Sequence, residues 1–190
     1  MAGTLATAVA YIEIDDCKIA ELLTDSGAGP TYGEPIDIPS IMELTAQLQI
    51  RSVLREGDAK VSGVYTKVTH ATGNLSANAV PLEALSVMVG GTLTDEGTSP
   101  DAVKKLRVGG NAKGKYFKIE GRAVQVDGID GVAAGARIVI YKARLTGSPT
   151  LGFNDQWANI SAEFTAVATN SDDTILEFIV EETQSELGSE

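Results

Sequence analysis

IMELTAQLQIRSVLR, residues 41–55, alternates in character along most of its length. Met42, Leu44, Ala46, Leu48, Ile50 and Leu54 fall on one side, and Glu43, Thr45, Gln47, Gln49, Arg51 and Arg55 on the other, with Val53 the main interruption. A period of two marks a β-strand whose faces meet different surroundings. REGDAK then turns the chain. A second long strand follows over 61–79, with Val64, Thr66 and Val68 in one phase and Leu75, Ala77 and Ala79 in the other. The phase changes near Ala71–Gly73, where a bulge would re-register the faces. At ~3.3 Å per residue the first strand is roughly 50 Å long, whereas a compact domain of this size, with a radius of gyration of ~16 Å, is about 40 Å across. The hairpin is therefore expected to overshoot its own domain. A two-stranded ribbon is marginal alone, so its outer part needs support, most simply from another copy of the chain.

Around this hairpin the rest of the chain is also mainly β. A short strand is expected near Val9–Ile14, followed by a Gly- and Pro-dense stretch, TDSGAGPTYGEPIDIPS, that reads as a long loop or arm without strand or helix. PLEALSVMVGG is the one good helix signal. Pro81 suits the first helical position, Leu82, Leu85 and Val89 make an apolar stripe, and Gly90 and Gly91 end it. SPDAVKKL, 99–106, fits either a helical turn or a strand start. Further strands are expected at 115–126, 136–145, 157–168 and 174–182, with RIVIYKARL apolar on both faces at its start as a central strand would be. The whole, 1–190, reads as a single domain, with residues 1–40 a strand and arm and 183–190 a flexible tail.

The supply of reactive groups is thin. Gly109, Gly114 and Lys115 have phosphate-loop spacing, but Tyr116 stands where a small hydroxyl is needed, and period-two alternation follows where a helix is needed. The plainer reading is a loop entering a strand. Cys17 is the one cysteine, so no internal disulfide and no Cys-based metal site can form within one chain, and its apolar surroundings read as core. His70 is the one histidine and reads as a surface residue; Asp127 and Asp130 read as turn residues beside glycines, and Trp157 as a core or interface anchor. No catalytic residue, cofactor or metal is expected, and the chain is read as not an enzyme. The first residues lack the basic start of a signal peptide, and no apolar window approaches ~18 residues. A soluble chain made in the cytoplasm, without membrane insertion, is the expectation.

The formal net charge is −11 and unevenly spread. Residues 101–146 carry ten basic side chains against four acidic ones, a local +6 that leaves −17 to the remainder. The sum argues against conventional nucleic-acid binding, which draws on Lys and Arg neutralising phosphates. The asymmetry lets copies attract one another in a salt-dependent way.

Taken in order, LTAQLQIRSVL with its hairpin partner, TGNLSANAVPLEALSVMVGG, KYFKIEGRAV, RIVIYKARLT and ISAEFTAVATNSDDTILEFIVEE resemble the major tail tube proteins of bacteriophages with long, non-contractile tails. The resemblance spans nearly the whole chain as a pattern of strands and short phrases, without an invariant motif. It implies a β-sandwich of two antiparallel sheets with one short flanking α-helix, and a long hairpin that contributes to an inter-subunit β-barrel. Homo-hexameric rings would stack head to tail into the tube through which the genome leaves the capsid, and DNA would pass through the lumen without specific binding. A tail-tip initiator, a tape measure protein and a terminator are the implied partners, and the virion tail, after synthesis in the bacterial host cytoplasm, is the implied location. Glu43, Thr45, Gln47, Gln49 and Arg51 would then face the lumen and Leu44, Leu48 and Ile50 the sandwich interior. Lys104, Lys105, Arg107, Lys113 and Lys115 would serve ring stacking, and Leu82, Leu85 and Val89 would pack the helix. A tail terminator or connector of the same fold is the alternative, and a carbohydrate-binding or adhesion β-sandwich a more distant one, since that would call for a secretion signal and exposed aromatics.

Overall fold

The computed structural model describes residues 11–57, 60–125, 135–151, 160–181 and Leu187. The chain runs β1 (Tyr11–Ser26), β2 (Gly29–Tyr32), β3 (Ile36–Asp37), β4 (Ile41–Gly57), β5 (Lys60–Ala77), α1 (Leu82–Val89), β6 (Thr92–Glu96), β7 (Val103–Arg107), β8 (Phe117–Gln125), β9 (Gly135–Leu145), β10 (Thr150–Leu151), β11 (Ile160–Ala166) and β12 (Leu176–Glu181). It is a mainly-β protein with antiparallel sheets and one short helix. Ten strands share one sheet along the path β2-β1-β8-β9-β11-β5-β4, with β3 on β1, β10 on β11 and β12 on β9; β6 and β7 pair separately. The path is thinnest between β9 and β11, where Ala143–Leu145 meets Phe164–Ala166. There the sheet folds over, so that β4 comes to lie near β1 and Leu44 packs against Gly121 of β8. Cys17, Ile19, Ile38, Leu75, Phe117, Ile119, Ile140 and Phe164 fill the space enclosed.

β1 is the largest departure from the expected pattern. It runs on to Ser26, and the supposed arm supplies β2 and β3 as well. The cause is burial on both faces. Cys17, Ile19 and Ala20 are all buried, and Lys18 donates to the carbonyl of Leu187, itself buried, so the strand shows no simple alternation. Leu187 is also the only residue of the expected tail among those described. β8 departs in a related way. Its polar positions do not face water: Lys118 and Glu120 are buried and ion-paired, with the Lys118 ammonium 4.8 Å from the centre of the Tyr32 ring. Arg122, further along, pairs with Asp15 at 3.1 Å.

The helix starts one residue later than expected. Pro81 is extended (φ −59°, ψ 144°) and stands just outside it, and Gly90 ends it in the left-handed region (φ 78°), its N–H donating to Ser86. The buried residues are Ala84, Leu85, Val87 and Met88, while Leu82 and Val89 are half-buried. A stripe of Leu82, Leu85 and Val89 presumes one sheet on one side. Here α1 is wedged between β3 and β9 on the one hand and the β6–β7 pair on the other, so it buries a broader face. SPDAVKKL resolves as the approach to strand β7, and its partner β6 was not expected at all.

Asp25, at the end of β1, ties three elements together. Its carboxylate accepts from the Lys142 ammonium of β9 and, at 2.9 Å, from the backbone N–H of Asn170, whose side-chain amide donates back to the Asp25 carbonyl. The Lys142 hydrogen bond first, then the Asn170 N–H, holds the carboxyl below the usual carboxylate range. A depressed folded value means stability fully present above the unfolded pKa of ~4 and lost as pH falls through the folded one. Asp25→Asn is therefore expected to lower Tm at pH 7 by roughly 4–8 °C, taking about 2 kcal/mol for a charged hydrogen bond, and to flatten the loss of Tm below pH ~4. Thermal melts of both proteins between pH 7 and pH 2.5 check this.

Candidate assembly surface

The outer face of β4 belongs to a wider polar surface. Glu43, Thr45, Gln47 and Gln49 stand opposite Ser76, Asn74, Thr72 and His70 of β5. On the far side of β5, Ser161, Glu163 and Thr165 of β11 stand opposite Ser76, Asn74 and Thr72. Hydroxyls and amides bind one another across the strands: Gln49 Nε2 donates to Thr72 Oγ1 at 3.0 Å, and Ser161 Oγ to Asn74 Oδ1 at 3.1 Å. Glu43 and Glu163 are the only charged residues among these, both negative. The three β11 positions were missed by the sequence reading, although Ser161, Glu163 and Thr165 alternate with buried Ala162, Phe164 and Ala166.

Arg51 is set apart from that group. The β4–β5 register shifts between Gln49 and Ile50, where Thr69 is the extra residue, two positions before the expected Ala71–Gly73. Its hydroxyl donates to the Gln49 carbonyl at 3.2 Å. Beyond this bulge the hairpin leaves the body of the protein, since β11 pairs with β5 only as far as Ala71. The overshoot expected from strand length is present.

The side chains on the departing half are unlike those of a solvated ribbon. Leu44 and Ala46 pack on the core, but the same face continues as Leu48, Ile50 and Leu54, joined by Val68 and Val64 from β5, all of them exposed. Ile50 is 63% exposed and Val64 62%. Leu48 and Ile50 therefore do not enter the interior of the subunit, because the subunit ends before they are reached. On the opposite face Arg51, Val53, Tyr65, Lys67 and Thr69 line a shallow groove, with Tyr65 66% exposed. Arg51 stands directly opposite Lys67, a like-charge juxtaposition that costs stability, and neither has an ion-pair partner among the described residues. Both faces of the departing half thus carry exposed apolar side chains, and one of them also carries two cations without an ion-pair partner among the described residues.

The five basic residues expected to serve stacking surround α1, and three are already answered within the chain. Lys104 pairs with Glu83 of α1, Lys105 with Glu96 of β6, and Lys115 with Glu21 of β1. Arg107 and Lys113 are exposed and have no ion-pair partner among the described residues. Gly109–Lys115 is a loop that leads into β8, with Lys115 Nζ on a carboxylate of the protein itself. His70 shares a hydrogen bond of 2.9 Å with Thr69 at the bulge. Asp127, Asp130 and Trp157 lie outside the described residues.

Cys17 is fully buried, and burial, reinforced by the Asp16, Asp37 and Glu120 carboxylates, pushes its thiol up to about 12. Such a thiol stays protonated and shielded. It is expected to react with a water-soluble disulfide reagent at least ~100-fold more slowly in the native protein than in denaturant, as absorbance of the released thiolate will show.

No protein-family model matches the chain, and comparison with curated proteins gives no match.

Proposed function

We propose that this chain is the structural subunit of a phage tail tube: a tail-tube-type sandwich, built from the folded-over sheet, that closes into hexameric rings and stacks into a conduit for the genome. The observation that carries this reading is the overshooting β4–β5 hairpin, whose core-facing stripe runs on into solvent. Burial of such side chains is worth about 1.5–3 kcal/mol each, so a second copy that covers them stabilises both partners. The polar face of β4, β5 and β11 suits a lumen. Its two carboxylates repel phosphate, and Gln49 with Thr72 and Ser161 with Asn74 are engaged with one another, so DNA slides rather than binds. The −11 net charge acts in the same direction. Ring count, tail-tip initiator, tape measure and terminator come to this reading from the family resemblance, as does the virion location.

Negative-stain electron microscopy of the purified chain, concentrated across a salt series, tests it. Hollow filaments with a regular axial repeat are the expected result. A single closed ring at every concentration would favour the terminator or connector instead, and persistent monomers, also in the presence of tail-tip components, would remove the proposal. Arg107→Glu with Lys113→Glu is expected to shorten filaments several-fold at low salt, with little effect on Tm, because these two exposed cations have no ion-pair partner among the described residues. Filament length distributions for the two proteins decide the point.

A further inference from the structure

Two of the open strand edges carry matching sequences. Among the described residues β4 pairs only with β5, and β12 only with β9. β4 has 17 residues, no proline and several exposed apolar side chains, an edge that natural proteins avoid unless something pairs with it. Along β4 the alternate positions 51, 53 and 55 hold Arg, Val and Arg; along β12 the alternate positions 177, 179 and 181 hold Glu, Ile and Glu. The spacing is identical and the charges are opposite.

Each triplet reads the same in both directions. With Val53 opposite Ile179, both arginine positions meet glutamate positions whether the strands run parallel or antiparallel. Residues directly opposite share a face of the sheet, so the intervening pairs place Leu54 and Ser52 against Phe178 and Val180. Leu54 is 56% exposed and Phe178 60%, so this second face is apolar where the first is charged. Arg51 has no ion-pair partner among the described residues, and neither has Glu177, whose carboxylate accepts from the neutral Tyr141 hydroxyl at 2.8 Å.

We infer that the outer edge of β4 in one copy adds to the outer edge of β12 in the next, with Val53 beside Ile179. The contact joins unlike surfaces, and every copy offers one of each, so it propagates until it closes as a ring. The pairing deepens the tube reading and rests on it for the ring's place in a stack.

Two variants and one cross-link test it. Arg51→Glu/Arg55→Glu and Glu177→Arg/Glu181→Arg each set like charges across the contact, and each alone is expected to raise the concentration needed for assembly by tenfold or more. Mixed one to one they are expected to assemble again, because each variant's β4 then meets the other's β12 with opposite charge. In the full chain carrying Val53→Cys and Ile179→Cys, mild oxidation is expected to give a ladder of disulfide-linked copies on a non-reducing gel, since directly paired strand positions lie within bridging distance. Variants that assemble alone as the parent does would overturn the pairing. So would filaments without the ladder, while leaving the tube reading in place. A ladder from rings that never stack would keep the pairing and remove the tube.

Discussion

A chain in which residues 50–69 are replaced by Asn-Gly is expected to stay folded, run as a monomer and form no filaments at any concentration the parent tolerates. Gln49 and His70 stand directly opposite each other, so a two-residue Asn-Gly turn closes the shortened hairpin with a twist that suits antiparallel strands. Among the described residues no other strand pairs with the deleted half. Ile50, Val53, Leu54, Val64, Tyr65 and Val68 within it are all exposed. Their removal costs the fold little, and Tm is expected to move by no more than about 4 °C, equivalent to about 1 kcal/mol. Assembly, in contrast, loses the whole surface on which the proposed contacts depend. Light scattering and electron microscopy read the loss, and circular dichroism reads the fold. A truncated chain that still makes tubes would show that the hairpin is dispensable, and the central observation of the proposal would fall.

The largest effect on stability is expected at Gly73. A Cβ there would lie 2.0 Å from the Thr45 carbonyl oxygen and 2.4 Å from Cζ of Phe164. Neither neighbour can give way cheaply. The carbonyl belongs to the β4 backbone, and Phe164 is a buried core ring at the junction where the sheet folds over. Gly73→Val is expected to cost about 4 kcal/mol or more, as other overpacked or strained core positions do at the upper end of their range. At 2–4 °C per kcal/mol this is a fall in Tm of about 10 °C, or failure to accumulate as soluble protein. Gly63→Ala serves as the control, because nothing lies within 4 Å of its added Cβ. Denaturant and thermal unfolding of the pair measure the contrast, and equal stabilities would mean that β4 and β11 approach Gly73 less closely than described.

Legibility in the sequence followed solvent contact. β4 could be read residue by residue because one of its faces meets water along its whole length, which keeps the period of two clean. β9 was readable for the opposite reason, as a phrase whose start is apolar on both faces. β1 was lost beyond Ile14 because two of its polar residues are engaged within the fold, Lys18 by the Leu187 carbonyl and Asp25 by Lys142, and break the alternation. The helix stripe held for Leu85, which is buried, and Val89, which packs on the core, but missed Ala84, Val87 and Met88, because β6 on its second side gave no signal of its own. The candidate surface divided in the same way. Strand length alone foretold the overshoot, and the alternation placed Glu43, Thr45, Gln47 and Gln49 on one face. Whether Leu48 and Ile50 reach a core depends on where the body of the subunit ends, a tertiary fact that no local pattern carries.

The buried Lys118–Glu120 pair has a consequence for how the subunit reaches this shape. A slip of β8 by a single residue against β1 and β9 would exchange its faces and put an ammonium and a carboxylate where Phe117 and Ile119 now sit. Each charge stranded there would cost several kcal/mol, so only one alignment escapes the penalty. The two ions work as the wards of a key, turning freely in the native register and jamming in its neighbours.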